Sequence, residues 1–104
     1  MGRPEACAAL AALAQRELAL VDAAAYEELP AVHARRVELI DALGGPGEGP
    51  PLSPEDRAQL QTAACVQQLA GEAMRQRRDE LRRQLGQSGH ARRAAAGYRA
   101  SATL

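Results

Sequence analysis

The chain has 104 residues, with thirteen arginines, no lysine, thirteen acidic residues and two histidines, so its formal net charge at neutral pH is zero. That length bounds it to one domain near the lower end of sizes that carry a full core. Zero net charge excludes a chain that holds nucleic acid or an acidic membrane by bulk electrostatics, and the absence of Phe and Trp leaves Leu, Val, Ile and Ala to build a thin, weakly specified core.

The first predicted element runs over residues 4–43. Pro4 suits a first helical turn. Leu10, Leu13, Leu18, Leu20 and Val21 then recur at helical spacing, continued by Leu29, Val32, Leu39, Ile40 and Leu43. Their phases cover about half the helix circumference, wider than the ~100° stripe of an ordinary surface helix, so the arm can contact two neighbours. Pro30 predicts a kink or a junction of two helices near residues 22–30, with Asp22 as a cap. Gly44 ends the arm.

A breaker follows. Four glycines and four prolines fall within Gly44–Pro54. Proline removes a helix donor and glycine costs backbone entropy, so no helix passes through. Residues 44–53 are read as a hinge. Ser53 supplies an N-cap, Pro54 the first helical position, and Glu55 and Asp56 oppose the helix dipole.

The second arm is predicted over residues 54–86, with Leu60, Ala63, Val66, Ala70, Met74, Leu81 and Leu85 on one broad face. Asp79 and Glu80 pair with Arg82 and Arg83 on the other. Gly86-Gln87-Ser88-Gly89 predicts a break, followed by a tail segment over 87–104. Within it Ala91, Ala94, Ala95 and Tyr98 can form one face of a short, marginal helix. No repeat or β-pattern occurs. The predicted fold is all-α: a single domain over residues 1–104, an antiparallel helical hairpin or small bundle of three to four helices with a mobile short C-terminal helix.

Charge is unevenly placed. Residues 1–74 hold five arginines against eleven acids, and 75–104 hold eight arginines against two. Opposite-sign patches in one small chain are expected to meet. The basic end has Tyr98 as its one nearby aromatic, so nucleic acid would find no stacking platform. Cys7 and Cys65 fall far apart in a hairpin and are read as reduced thiols, which places the chain in the cytoplasm. The run Ala6–Ala14 is too short and too quickly helical for a signal peptide. No stretch approaches the ~18 apolar residues of a spanning helix, so no membrane insertion is expected.

Chemical sites fail on inspection. His33 and Cys65 lie level in a hairpin, but no orienting group or oxyanion site accompanies them. They are read as a surface histidine and a buried structural thiol. The histidines and cysteines lack metal-ligand spacing, and the hinge glycines lack a P-loop pattern. A small helical mutase of the chorismate type would want a lysine beside its arginines, and there is none. No catalytic residue, cofactor or metal is expected, and the chain is not read as an enzyme. What remains are the apolar arcs. Their plainest role is to pack on each other, but Leu81 and Leu85 extend past the point where the first arm runs out of surface. Such an overhang suits helix-in-groove recognition. Homodimerisation would bury the same leucines, so a self-associating helical module stands as the alternative.

The run Leu18-Ala19-Leu20-Val21-Asp22 through Tyr26-Glu27-Glu28-Leu29-Pro30 and on to Leu39-Ile40-Asp41-Ala42-Leu43 resembles the small bacterial flagellar type III export chaperones. These have a leading helix, a short polar or aromatic step, and then L-x-x-L-x-x-x-R-x-x-L-I-x-x-L. The Leu-Ser-Pro-Glu start of the second arm and the arginine-rich tail ending in Gly97-Tyr98 look like the same family. The length suits the FliT type, with the FlgN type next. FlgN-like sequences often place an Asn midway along the second arm, where Val66-Gln67-Gln68-Leu69-Ala70 offers only glutamines.

The resemblance implies a cytoplasmic, ATP-independent chaperone. Such a chaperone binds a terminal segment of an exported subunit, prevents premature assembly and delivers the subunit to the export gate. The implied clients are the filament cap protein or, next, the hook–filament junction proteins. The gate's cytosolic domain and the export ATPase are the implied export contacts. Client binding is implied at Met74, Leu81, Leu85, Ala94 and Tyr98, and gate docking at Tyr98. A tail folding back from His90 over Leu81 and Leu85 would make an autoinhibitory cover.

Overall fold

The computed structural model describes residues 1–45, 47 and 49–102, with side chains described up to residue 97. Among the described residues the fold is all-helical, with no strand. Helix α1 spans Arg3–Asp22, a 3-10 turn Tyr26–Glu28, helix α2 Leu29–Leu43 and helix α3 Pro54–Ala102. The chain divides into two compact units, residues 1–73 and 74–104.

Helix α1 starts with Pro4 in its first turn and Glu5 opposing the dipole. It ends at Asp22, which is its last residue and caps nothing. Ala24 takes a positive φ of 57° just beyond, the left-handed step that lets the backbone leave a helix. Its amide bonds back to the Val21 carbonyl at 3.0 Å. Helix α2 then begins with Pro30 in its first turn and Glu28 at the N-cap position, without a side-chain cap. Proline is tolerated there because its missing donor would have had no partner within the helix. The chain therefore has two helices here, not one kinked rod. Gly44, at φ 85°, closes α2, and the Ser53 hydroxyl accepts the Asp56 amide at 3.1 Å to open α3.

The core of the first unit is built from small side chains. Ala6, Cys7, Leu10, Ala11, Ala14 and Val21 are buried on α1, Leu29, Val32 and Leu39 on α2, and Val66 and Ala70 on α3. Val21, Leu29 and Ala70 form one cluster, with Leu18, Leu20 and Ala73 packed against it. Alanines at this density bring helix backbones close but contribute little area each. The larger aliphatics sort unevenly: Leu39 is nearly sealed, while Val37 and Ile40 on the same helix stay at the surface. The thiols correct the sequence reading, because Cys7 is the buried one and Cys65 is exposed. Burial pushes the Cys7 thiol up, helped by the Asp56 carboxylate and opposed by Arg3. That keeps it protonated and unreactive.

The second unit departs from the expected short, separate C-terminal helix. Helix α3 passes through Gly86 and Gly89 without interruption. Each glycine costs about 1 kcal/mol relative to alanine, but neither residue is accompanied by proline, and Gln84, Leu85, Gln87 and the arginines and alanines after His90 favour helix. Propagating an existing helix past a weak residue costs less than nucleating a new one. A methyl group added at Gly86 or Gly89 would meet nothing within 4 Å. Gly86→Ala combined with Gly89→Ala is therefore expected to raise helicity over residues 80–95. Amide exchange there should slow by about thirtyfold, following the ~1 kcal/mol each substitution returns. Unchanged exchange would mean that this stretch is not helical in solution.

Candidate functional site

Residues 74–97 carry three exposed large apolar side chains. Met74 is 40% exposed, Leu81 48% and Leu85 71%. At about 100° per residue these three share an arc of roughly 40°, and they span about 17 Å along the axis. Ala94 is exposed, but in an unbroken helix it falls on nearly the opposite face, about 140–180° from the leucines. Tyr98 is about 120° away from Met74 by the same arithmetic, and its side chain lies outside the described residues. The expected five-residue site is thus three residues on one stripe, with Ala94 turned away. The cause is the helical continuity through Gly86 and Gly89. The same continuity leaves Leu81 and Leu85 uncovered by the segment from His90 onward.

Arginines border this stripe. Arg78 and Arg82 lie about 40° and 80° to one side of Met74, Arg77 about 60° to the other, and Arg92 continues the line of the stripe itself. The acids of the segment, Asp79 and Glu80, fall about 120–140° away. Glu80 is occupied there by Arg83, an i, i+3 partner, and by the Gln84 amide at 3.2 Å. Asp79 accepts from Arg78 at 3.3 Å, an exposed contact between neighbours that adds little. The spacing expected from sequence puts Leu81 and Leu85 on one face and pairs these acids with Arg82 and Arg83; the arginines around the leucines are an addition from the structure. The signal was available in the register of residues 74–85, with continuity of the helix needed only for Arg92 and Arg93.

A second feature was also missed. A groove of about 560 Å³ is lined by Ile40, Leu43, Leu52 and Leu60 with Gly44, Gly45, Gly47, Gly49, Pro50 and Pro51 around it. Arg3 reaches this region and donates to the Pro50 carbonyl, tying the start of α1 to the connection ahead of α3.

The third missed feature is polar and buried. Glu17 on α1 is 5% exposed, yet it sits among alanines and Leu10-type positions. Its Oε2 lies 3.1 Å from His33 Nε2 and its Oε1 3.0 Å from Arg36 Nη2, both on α2. The Arg36 approach is an ion pair without hydrogen-bond alignment at Nη2. His33 thus serves an interhelical carboxylate clasp, with its partner on the neighbouring helix. From sequence, Glu17 reads as one more solvated acid. Only the face shared with Ala14 and Val21 hints otherwise. No group of three or more His, Cys, Asp or Glu side chains suited to a metal ion occurs among the described residues. No described helix is long and apolar enough to cross a membrane.

The family profile described as flagellar protein FliT matches residues 4–100. The chain belongs to the FliT family. This is a family of flagellar export chaperones, not known for enzymatic activity. The match covers both helices of the packed unit and nearly all of α3, so the exposed stripe lies inside the family region. No curated protein and no solved structure matches the chain.

Proposed function

We propose that this protein is a cytoplasmic flagellar export chaperone whose client is the filament cap protein, with hook–filament junction proteins as the next candidates. It binds a terminal segment of that subunit, prevents premature assembly and delivers it to the export gate. The observation that carries this reading is the exposed stripe of Met74, Leu81 and Leu85 within a chain of this family. A folded protein of this size has no packing reason to leave two leucines and a methionine in line on a charged helix. The first unit acts as the rigid body, proposed to pack as an antiparallel helical bundle. The stripe is the binding element, with Ala94 and Tyr98 reached only by a client that wraps around the helix. Tyr98 is proposed to dock on the cytosolic domain of the export gate, with the export ATPase as a further contact.

The test is calorimetry and solution mass of the full chain with the C-terminal region of the cap protein from the same bacterium. A 1:1 complex is expected. Tyr98→Ala should leave that complex intact and reduce secretion of the cap protein several-fold. A self-associated chain that takes up none of the axial subunits would overturn the chaperone reading.

A further inference from the structure

We infer that the Met74–Leu85 stripe selects an acidic amphipathic helix: a segment with an apolar seam of its own, bordered by Asp or Glu. The inference rests on the client reading above and specifies the chemistry of what is bound. Its basis is the charge arrangement around the stripe. Arg75, Arg78 and Arg82 lie within about 100° of Met74 on one side and Arg77 about 60° away on the other; Arg93 continues the first side, and Arg92 lies on the line of the stripe itself, beyond Leu85. Arg75, Arg77, Arg82, Arg92 and Arg93 have no carboxylate partner among the described residues. Asp79 and Glu80, the two acids available to this unit, are placed away from the stripe and already engaged.

The face thus presents an apolar line about 17 Å long between a rail of Arg75, Arg78, Arg82 and Arg93 on one side and Arg77 on the other. An apolar helix laid on that line brings its flanking positions against the rails. Glu or Asp there gains charge-assisted, often bidentate pairing with guanidinium groups. Lys or Arg there is repelled. Two helices meeting along one seam repeat at the i, i+3, i+4, i+7 spacing that Met74, Leu81 and Leu85 follow.

Other anionic partners fit less well. An interfacial membrane helix needs a broad apolar face, commonly with Trp or Phe. Here the apolar arc is roughly 40° wide, is aliphatic only, and gives way to Ser88 and Arg92. Duplex nucleic acid would engage the arginines but would leave Leu81 and Leu85 unburied against phosphates. Those leucines, at 48% and 71% exposure, are central to the face rather than beside it.

The experiment uses the full chain and three synthetic 18-residue helical peptides carrying the same leucine seam. The seam is flanked by Glu in the first, Gln in the second and Lys in the third, and binding is followed by fluorescence anisotropy. The Glu peptide is expected to bind at least tenfold tighter than the Gln peptide at 50 mM salt. The Lys peptide should bind weakest, and the Glu preference should shrink toward parity at 500 mM salt. Arg78→Gln with Arg82→Gln should remove most of the Glu preference and leave Gln-peptide binding within about twofold. Equal affinity for the three peptides would overturn the inference while leaving the client reading standing. If no peptide binds, and cap-protein binding is absent too, both fail. Binding of the chain to phosphatidylglycerol vesicles or to duplex DNA in preference to the Glu peptide would assign the rails to a different partner and overturn the inference.

Discussion

Glu17→Ala is expected to destabilise the fold by about 3 kcal/mol, with a lower limit near 2, because it strands Arg36 against the α1–α2 interface without its anion. Arg36 keeps only 15% of its side-chain surface, and Glu17 only 7%. Neither can recover by turning to water. The general cost of removing one member of a buried pair is about 3–5 kcal/mol, and partial exposure of Arg36 argues for the lower end. Glu17→Gln, which keeps the shape and a hydrogen-bonding oxygen but not the charge, should fall between wild type and alanine. His33→Ala should cost less than about 1 kcal/mol, since its ring is more than half exposed and its contact with Glu17 is screened. Urea denaturation followed by circular dichroism checks the series. A Glu17→Ala loss under 1 kcal/mol would show that the two helices are held by their aliphatic contacts alone. Replacing Glu17 and Arg36 together by Leu and Met should recover much of the loss, because an apolar pair of similar volume often matches a buried ion pair.

The second large effect is functional. Leu81→Gln with Leu85→Gln should weaken cap-protein binding by at least a hundredfold. Burying a leucine contributes about 1.5–3 kcal/mol each, and every 1.4 kcal/mol is tenfold in affinity. Both side chains are exposed in the free protein, so the thermal midpoint should move by no more than a degree or two. Ala94→Gln is the matched control on the opposite face and should bind within a factor of three of wild type. Loss of affinity at Ala94 comparable to that of the leucines would mean that the client wraps the helix. Retained affinity in the double leucine variant would move the client site elsewhere, with the groove at Ile40, Leu43, Leu52 and Leu60 next in order.

Much of the fold could be read from individual residues because their reasons are local. The all-helical class follows from aliphatic spacing without a β-pattern, and Ser53-Pro54 can open a helix by its own hydrogen bonding and ring geometry. Two other features depended on comparisons between distant residues. Glu17 differs from any solvated acid only through what α2 places opposite it, and one sequence does not state that pairing. The break expected at Gly86–Gly89 failed for the opposite reason. Local propensity was weighed there without the cooperativity of a helix that has already been nucleated thirty residues earlier. That misjudgement carried into the site, since Ala94 and Leu81 share a face only if the helix stops between them. That Leu81 and Leu85 share one face follows from their helical spacing, which is visible in the residues themselves. Arg75, Arg77, Arg78 and Arg82 lie on that same predicted helix, and only Arg92 and Arg93 needed the register of an unbroken one.

The small side chains of the interior have a thermal consequence. Unfolding raises the heat capacity mainly through apolar surface newly exposed to water, and polar exposure lowers it. Ala6, Ala11, Ala14 and Ala70 take four of the eleven buried apolar positions among the described residues, and each hides far less hydrocarbon than a leucine. The heat-capacity increment per residue should therefore lie below the ~12–15 cal/mol/K typical of globular proteins, which flattens the dependence of stability on temperature. A shallow curve of this kind holds the packed unit at nearly constant stability from cold to warm conditions, at the expense of a high maximum.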